Sequence, residues 1–135
     1  MNIRALSLVL FALLAGCGAS SRPARPDDTQ VVAQWRLKSD GGWFWSIREF
    51  VWENRIDSAC GALCNFDGNE IGQGKVNLFL YTEDVPGTVK MLVNLESAGK
   101  LPAGMQVGVA RYKDKARKDW DYISVYPKGS HHFDL

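Results

Sequence analysis

The sequence contains few residues of the types that usually act as catalytic bases. Its two histidines, His131 and His132, adjoin each other within the last five residues, a position at which chains are often frayed. Histidine is the most frequent general base and activator of nucleophiles, and no GxSxG, HExxH or CxxC motif accompanies this pair. A mechanism that uses carboxylates alone remains open through Asp67 and Glu70. We therefore expect a protein that is not an enzyme, with no catalytic residues and no cofactor.

The segment around Asp67 carries side-chain oxygens at alternate positions. Asn65, Asp67 and Asn69 have the spacing with which a calcium-binding loop begins, because alternate oxygens can converge on one cation. A twelve-residue loop that starts at Asn65 would end at Val76 and not at a bidentate glutamate, so no metal site is expected. The alternatives are a structural turn and the recognition of a polar partner by Asp67, Asn69 and Glu70.

Charged residues are segregated along the chain. Glu49, Glu53 and Asp57 recur every fourth residue, so they line one stripe of a helix, the acidic stripe, and repel one another weakly. Five basic residues fall within eight positions of a second segment: Arg111, Lys113, Lys115, Arg117 and Lys118. We interpret the acidic stripe as a surface that binds a partner. The alternative is that both charged sets are ordinary solvated surface.

The N-terminal residues 1–16 have the layout of a secretory signal peptide. A basic start at Arg4 precedes the apolar run 5–15, which is shorter than the roughly 20 apolar residues that a membrane-spanning helix needs. The run ends in Leu14-Ala15-Gly16-Cys17, and this stretch closely resembles the lipobox of bacterial lipoprotein precursors. The resemblance implies cleavage before Cys17, a diacylglyceryl thioether on its sulfur and acylation of the new amine. The alternative is an ordinary signal peptide with an incidental cysteine.

The same resemblance implies a location in the cell. Acyl chains on Cys17 would hold the protein stably in a lipid bilayer, since each buried methylene contributes about 0.8 kcal/mol. Gly18 is not the aspartate with which this family often retains its members at the inner membrane, so we expect the outer membrane, with the domain facing the periplasm. The residues that follow Cys17, up to residue 30, are rich in Ser, Pro, Arg and Asp and predict a flexible tether.

Cys60 and Cys64 are the two cysteines that remain once Cys17 is assigned to the lipid anchor. An even number of cysteines in an oxidising compartment favours a disulfide. The loop that it would close is short, so it would act as a local staple that contributes about 2 kcal/mol. The alternatives are two free buried thiols and a metal-binding pair, for which nearby histidines are lacking.

Residues 31–130 predict a single domain, with residues 131–135 as a tail. The chain of 135 residues is 46% hydrophobic and 23% charged, a globular composition. Loss of Arg4 with the signal peptide leaves 15 basic and 15 acidic residues. The mature chain then has no net charge and no general attraction to nucleic acid.

Hydrophobic periodicity predicts seven elements in the order βαββαββ. Strands are expected at 31–38, 63–70, 76–81, 105–112 and 120–126, and helices at 43–59 and 84–98, with a turn around residues 67–69. Thr82 and Asp84 are candidate N-caps of the second helix, and Gly99 is its expected stop. This order is the split βαβ arrangement of a ferredoxin-like α+β domain, with two helices on one face of an antiparallel sheet and one extra C-terminal hairpin strand.

A second resemblance agrees with this fold. The stretches 35–39, 66–74 and 78–81 look like those of small bacterial ferredoxin-like domains of unassigned activity, some of them of the immunity type. We therefore predict a periplasm-facing membrane lipoprotein whose domain binds a protein of the cell envelope, as an immunity-like inhibitor or an accessory factor would. The alternatives are a module that binds a small molecule or a peptidoglycan fragment on the open face of the sheet, and an unrecognised hydrolase.

The replacement Cys17→Ala should release the protein from the membrane, because the acyl groups on this residue are the expected anchor. Fractionation of cells into membrane and soluble material measures the effect, and the double replacement of Cys60 and Cys64 by alanine is the matched control that keeps the anchor. A mutant retained only as the uncleaved precursor would still agree with lipobox processing. A processed Cys17→Ala protein that stays in the membrane fraction would contradict it.

Overall fold

The computed structural model describes residues 20–37, 42–129 and 132–135, and residues 42–49 only by their backbone. The elements follow the predicted order: β1 (Thr29–Arg36), α1 (Gly42–Cys60), β2 (Asn65–Gly72), β3 (Lys75–Thr82), α2 (Val85–Ser97), β4 (Gln106–Tyr112) and β5 (Trp120–Tyr126). Within these residues no helix combines the length and the hydropathy that crossing a membrane requires. The predicted signal peptide, Cys17 and His131 lie outside the described residues.

The five strands form one sheet in the order β2-β3-β1-β4-β5, and every neighbouring pair is antiparallel. The predicted α+β class, with two helices and an antiparallel sheet, is confirmed. The order of the first four strands is compatible with the split βαβ arrangement, in which each helix connects two strands that flank a third. β5 extends the sheet beyond β4 as the additional hairpin strand.

One face of the sheet packs against both helices and forms the main core. Its buried members from the helices and the three central strands are Trp52, Ile56, Cys60, Leu92, Val31, Ala33, Trp35, Val76, Leu78, Leu80, Val107 and Val109. The rings of Trp35 and Trp52 are 5.5 Å apart, centroid to centroid. The indole nitrogen of Trp35 donates a hydrogen bond to the carbonyl oxygen of Pro102 at 2.9 Å, so the polar atom of this buried ring is satisfied.

The predicted limits of α2 are confirmed by its capping. The carboxylate of Asp84 accepts a hydrogen bond from the backbone N–H of Gly87 at 2.9 Å, which satisfies a donor that the first helical turn leaves free. Pro86 is tolerated in this turn because its missing N–H would have no helical partner. After the helix ends, Gly99 has a φ of +69°, a left-handed conformation that suits glycine.

The turn predicted around residues 67–69 is instead a β-bulge. β2 continues through this segment and pairs with β3 on both sides of a register shift between Phe66 and Gly68. Gly68 has a φ of +107°, which glycine adopts without the clash that a Cβ atom would cause. The chain reverses later, at Gln73 and Gly74, both of which have positive φ. A two-residue turn of this kind matches the twist of the strands that it joins.

Residues 21–28 are bonded to the domain, whereas the sequence predicts a flexible tether up to residue 30. The backbone N–H of Ser21 donates to the Asp57 carboxylate at 2.9 Å, and its hydroxyl accepts from the N–H of Phe66 at 3.0 Å. The side-chain amide of Asn65 donates to the carbonyl of Arg22 at 2.8 Å. The polar composition of this segment therefore reflects specific partners in the domain.

A buried ion pair closes this N-terminal segment. The guanidinium of Arg22 contacts both carboxylate oxygens of Asp28, at 2.5 and 2.9 Å, and the side chain of Asp28 is fully buried. The backbone N–H of Arg25 adds a hydrogen bond to the same carboxylate at 2.7 Å. The bond from Arg22 holds the pKa of Asp28 below its ordinary value, against the opposing effect of burial. Arg117 fixes the segment to the β4–β5 hairpin through the carbonyl of Pro26 at 2.7 Å.

The replacement Asp28→Asn should lower the free energy of unfolding by about 3 kcal/mol at neutral pH, because it leaves the Arg22 guanidinium buried without a counter-charge. The folded pKa of Asp28 is depressed, so its contribution is complete above the ordinary pKa of about 4 and is lost as the pH falls through the folded pKa. Urea unfolding from neutral to acidic pH measures both effects.

The exposed neighbour supplies the control for this prediction. Asp27→Asn should unfold like the wild type at each pH, since only the backbone carbonyl of Asp27 is bonded to Arg117. Equal stability of Asp28→Asn and the wild type at neutral pH would show that the ion pair does not stabilise the fold.

Candidate functional site

Two members of the predicted acidic stripe are bonded within the domain. A carboxylate oxygen of Glu53 accepts a hydrogen bond from the side-chain amide of Asn69 in β2. Asp57 accepts one from the backbone N–H of Ser21. The side chain of Glu49 lies outside the described residues. The like charges of this stripe are thus partly offset by donors from β2 and from the N-terminal segment, which are distant in the sequence.

The polar residues of the bulged strand have separate neighbours. Asn69 bonds to α1, whereas Glu70 is the Cα partner of Asn77 on the other face of the sheet. Asp67 is exposed at the bulge. The pKa of Tyr81 in β3 is raised, chiefly by burial of its hydroxyl and to a smaller extent by the negative charge of Asp67. Among the described residues, no group of three or more His, Cys, Asp or Glu side chains is placed to hold a metal ion.

The cysteine pair lies at the end of α1. The sulfur atoms of Cys60 and Cys64 are 2.13 Å apart, the separation of a disulfide, and both residues are buried. Gly61, which follows the last helical residue, has a φ of +49°, a left-handed conformation typical of the residue that ends a helix. The bridge therefore fixes the connection between α1 and β2 beneath the N-terminal segment.

The basic residues of the β4–β5 hairpin are largely paired within the domain. Arg111 donates two hydrogen bonds to the carboxylate of Asp121, at 2.9 and 2.6 Å. The ammonium of Lys113 is 3.8 Å from Asp119, and the guanidinium of Arg117 is bonded to carbonyls of the N-terminal segment. This hairpin therefore does not present a uniformly positive surface to a partner.

An apolar groove, which we call the α1–α2 groove, runs between the two helices. Two adjoining cavities of about 500 and 400 Å³ share Val51, Arg55 and Lys100. The side of the larger cavity is formed by Phe50, which is 64% exposed, and by Val51, which is 39% exposed, with Leu95 of α2 opposite. The guanidinium of Arg55 donates to the carbonyl of Lys100 at 2.6 Å and so places positive charge at the rim.

Phe50 lies between two margins of opposite charge. Glu53 and Asp57 follow it by three and seven residues, so they border it on the side of α1 that faces β2. Arg55 lies on the other side, where α1 approaches α2. An apolar centre with polar margins is the usual composition of a surface that binds another protein.

Sequence reasoning did not identify this groove. Hydrophobic periodicity predicts helix α1, whose buried stripe in the structure consists of Trp52, Ile56 and Cys60, spaced by four residues. It does not show which of the remaining apolar residues α2 fails to cover. The available signal is the position of Phe50, which is out of phase with that stripe and therefore faces away from the sheet.

Comparison with known proteins yields no match. No protein-family model matches the chain, and neither curated proteins nor solved structures show a significant similarity to it. A function for the α1–α2 groove and its margins has to be argued from the residues themselves.

The replacements Glu53→Ala and Asn69→Ala should each lower the free energy of unfolding by about 1 kcal/mol, because both remove the hydrogen bond between α1 and β2. The double replacement should cost less than the sum of the two, since the bond can be lost only once. Urea denaturation of the four proteins gives this coupling energy. Asp67→Ala combined with Asn69→Ala is the control pair, for which the losses should add. Additive losses for Glu53 and Asn69 would contradict the structural role of Glu53.

Proposed function

We propose that the protein is a periplasm-facing membrane lipoprotein whose α+β domain binds a protein of the cell envelope through the outer surface of α1. The observation that carries this proposal is the exposure of Phe50, 64% of whose surface is free beside the apolar groove. Aromatic side chains placed in this way are the usual anchors of protein interfaces. The proposal is one of binding and assigns no reaction to the domain.

The charges around Phe50 define the partner that would fit. A basic side chain of the partner would face the acidic margin of Glu49, Glu53 and Asp57, and an acidic one would face Arg55 at the rim of the groove. An apolar side chain between them would enter the α1–α2 groove beside Phe50. Asn69, which is bonded to Glu53, lies beside this margin on β2 and would contact a larger partner, whereas Glu70 lies on the other face of the sheet, outside this surface.

The N-terminal segment supports a location close to the bilayer. Ser21 is bonded to Asp57 and Phe66, so only a few residues separate this fixed point from Cys17. A chain spans at most about 3.5 Å per residue, which places Ser21 within about 14 Å of the Cα atom of a lipidated Cys17. In the proposed lipoprotein, the C-terminal end of α1 would therefore lie near the membrane. The partner would bind the domain close to the bilayer surface.

The replacement Phe50→Ser in the lipidated protein should leave the fold intact, since a side chain this exposed contributes little burial. It should reduce the recovery of the partner at least about tenfold, because an aromatic anchor of an interface typically contributes about 2 kcal/mol or more. Affinity capture from the cell envelope, with quantitative mass spectrometry of wild type and variant side by side, measures the loss.

Ile123→Ser is the matched control for this comparison. Ile123 is 44% exposed on β5, remote from α1 along the sheet, so its replacement should leave the captured proteins unchanged. Equal recovery by Phe50→Ser and the wild type would refute the proposed surface. A loss confined to Ile123→Ser would assign the interface to β5 instead.

A further inference from the structure

The sheet face opposite the helices, which we call the open face, is covered at its centre by residues 132–135. Phe133 is 7% exposed, and its ring lies directly over the backbone of Gly108 in β4. A Cβ atom at position 108 would lie 2.5 Å from that ring, so only glycine permits the contact. The ring of Tyr122 in β5 forms a wall, with its centroid 5.7 Å from that of Phe133.

Two donors hold the backbone that follows Phe133. The side-chain amide of Gln34 and the ammonium of Lys75 both donate to the carbonyl oxygen of Asp134, at 2.6 and 3.0 Å. Gln34 is only 2% exposed and also donates to the side-chain oxygen of Asn77 at 2.8 Å. A buried amide is thus oriented by its neighbour toward a peptide carbonyl.

The aromatic wall is fixed by a second set of hydrogen bonds. The hydroxyl of Tyr122 donates to the side-chain oxygen of Gln30, and the amide nitrogen of Gln30 donates to the hydroxyl of Tyr81 at 2.8 Å. These three residues come from β5, β1 and β3. The wall beside Phe133 therefore belongs to the sheet itself, independently of what lies against it.

Residues 132–135 leave one polar group of this face unsatisfied. Ser124 is the Cα partner of Gly108 in the β4–β5 ladder, so the two residues face the same side of the sheet. The hydroxyl of Ser124 is buried and has no hydrogen-bond partner among the described residues. A buried hydroxyl without a partner costs free energy. A ligand that bonded to this hydroxyl would satisfy a group that residues 132–135 do not.

The open-face recess is defined by Gln34, Lys75, Gly108, Tyr122 and Ser124. We propose that this recess is a binding site for an extended peptide segment of a partner protein. The segment would place an aromatic side chain over Gly108 and the backbone carbonyl of the next residue at Gln34 and Lys75. Residues 132–135 have this chemistry and occupy the recess when no such partner is present. The aromatic ring packs on Gly108, and Gln34 and Lys75 donate hydrogen bonds to the carbonyl oxygen. The proposal does not depend on the α1 surface or on lipidation of Cys17.

Competition between the two occupants follows from how residues 132–135 are attached. A segment linked to the domain by a short connection has an effective concentration in the millimolar range. A partner peptide can displace residues 132–135 only if its affinity for the recess outweighs this advantage, or if the ring of Phe133 is removed by mutation. The replacement Phe133→Ala removes that ring and leaves the recess otherwise intact. It therefore vacates the ring position over Gly108 and leaves the Asp134 carbonyl as the weaker competitor for Gln34 and Lys75.

The test uses the full chain with Phe133→Ala and, as its probe, a fluorescent peptide with the sequence of residues 130–135. Fluorescence anisotropy should show binding to this variant at least tenfold tighter than to the wild-type chain, whose recess is occupied. The same peptide with alanine in place of its phenylalanine should bind at least tenfold more weakly. Circular dichroism confirms that each chain is folded.

Two glycine replacements in the Phe133→Ala chain locate the binding. Gly108→Ala should abolish it, because the added Cβ atom fills the position of the ring. Gly72→Ala is the matched control at an open position and should leave it unchanged. If Gly108→Ala unfolds the chain, Gln34→Leu replaces it and should weaken binding at least tenfold.

Three results would overturn the proposal. The first is a folded Phe133→Ala chain that does not bind the peptide. The second is binding that is insensitive to both Gly108→Ala and Gln34→Leu. The third is a wild-type chain that is dimeric by light scattering and becomes monomeric with Phe133→Ala, since a second copy would then be the occupant of the recess.

Discussion

The structure depends on the burial of β1 from both faces of the sheet. Every residue from Val31 to Trp35 is buried, and the strand pairs with β3 on one side and β4 on the other. The helices cover one face through Ile56 and Leu92. Neither described helix lies on the open face, where Val32 and Gln34 are placed, and Phe133 covers it instead. The short segment 132–135 thus takes the place that a further helix layer would occupy in an α/β protein.

Gln34 shows how a polar residue is accommodated at the centre of such a strand. A buried amide costs free energy unless its donors are used, and both donors of Gln34 are bonded, to Asn77 and to the carbonyl of Asp134. Gln34 and Asn77 are also Cα partners in the β1–β3 ladder. A slip of one residue would carry Gln34 into the helix-facing core and leave Asn77 unpaired, so this pair specifies the register.

The elements were predictable because their signals are local. The alternation of β1, the apolar run of β3 and the Asp84 cap of α2 each lie within one segment, and the fold class follows from their order. The partners of Arg22, Glu53 and Phe133 were not predictable, because they depend on residues that only the folded chain brings together. Polar composition alone predicts a tether for the N-terminal segment. The ion pair of Arg22 with the buried Asp28, which holds this segment in the fold, is not visible in that composition. One available signal was Gly108, since a glycine within a strand indicates a close approach by another group.

The two candidate sites differ in whether folding explains the position of their aromatic side chain. Phe50 and Phe133 are the same residue type, yet one is largely exposed and the other is buried against a glycine. Burial of Phe133 has a structural reason, because it covers the central strand. Exposure of Phe50 has none, since a side chain that is 64% exposed contributes little to the core. A folding argument therefore accounts for the ring on the open face, while the ring on α1 remains to be explained by binding.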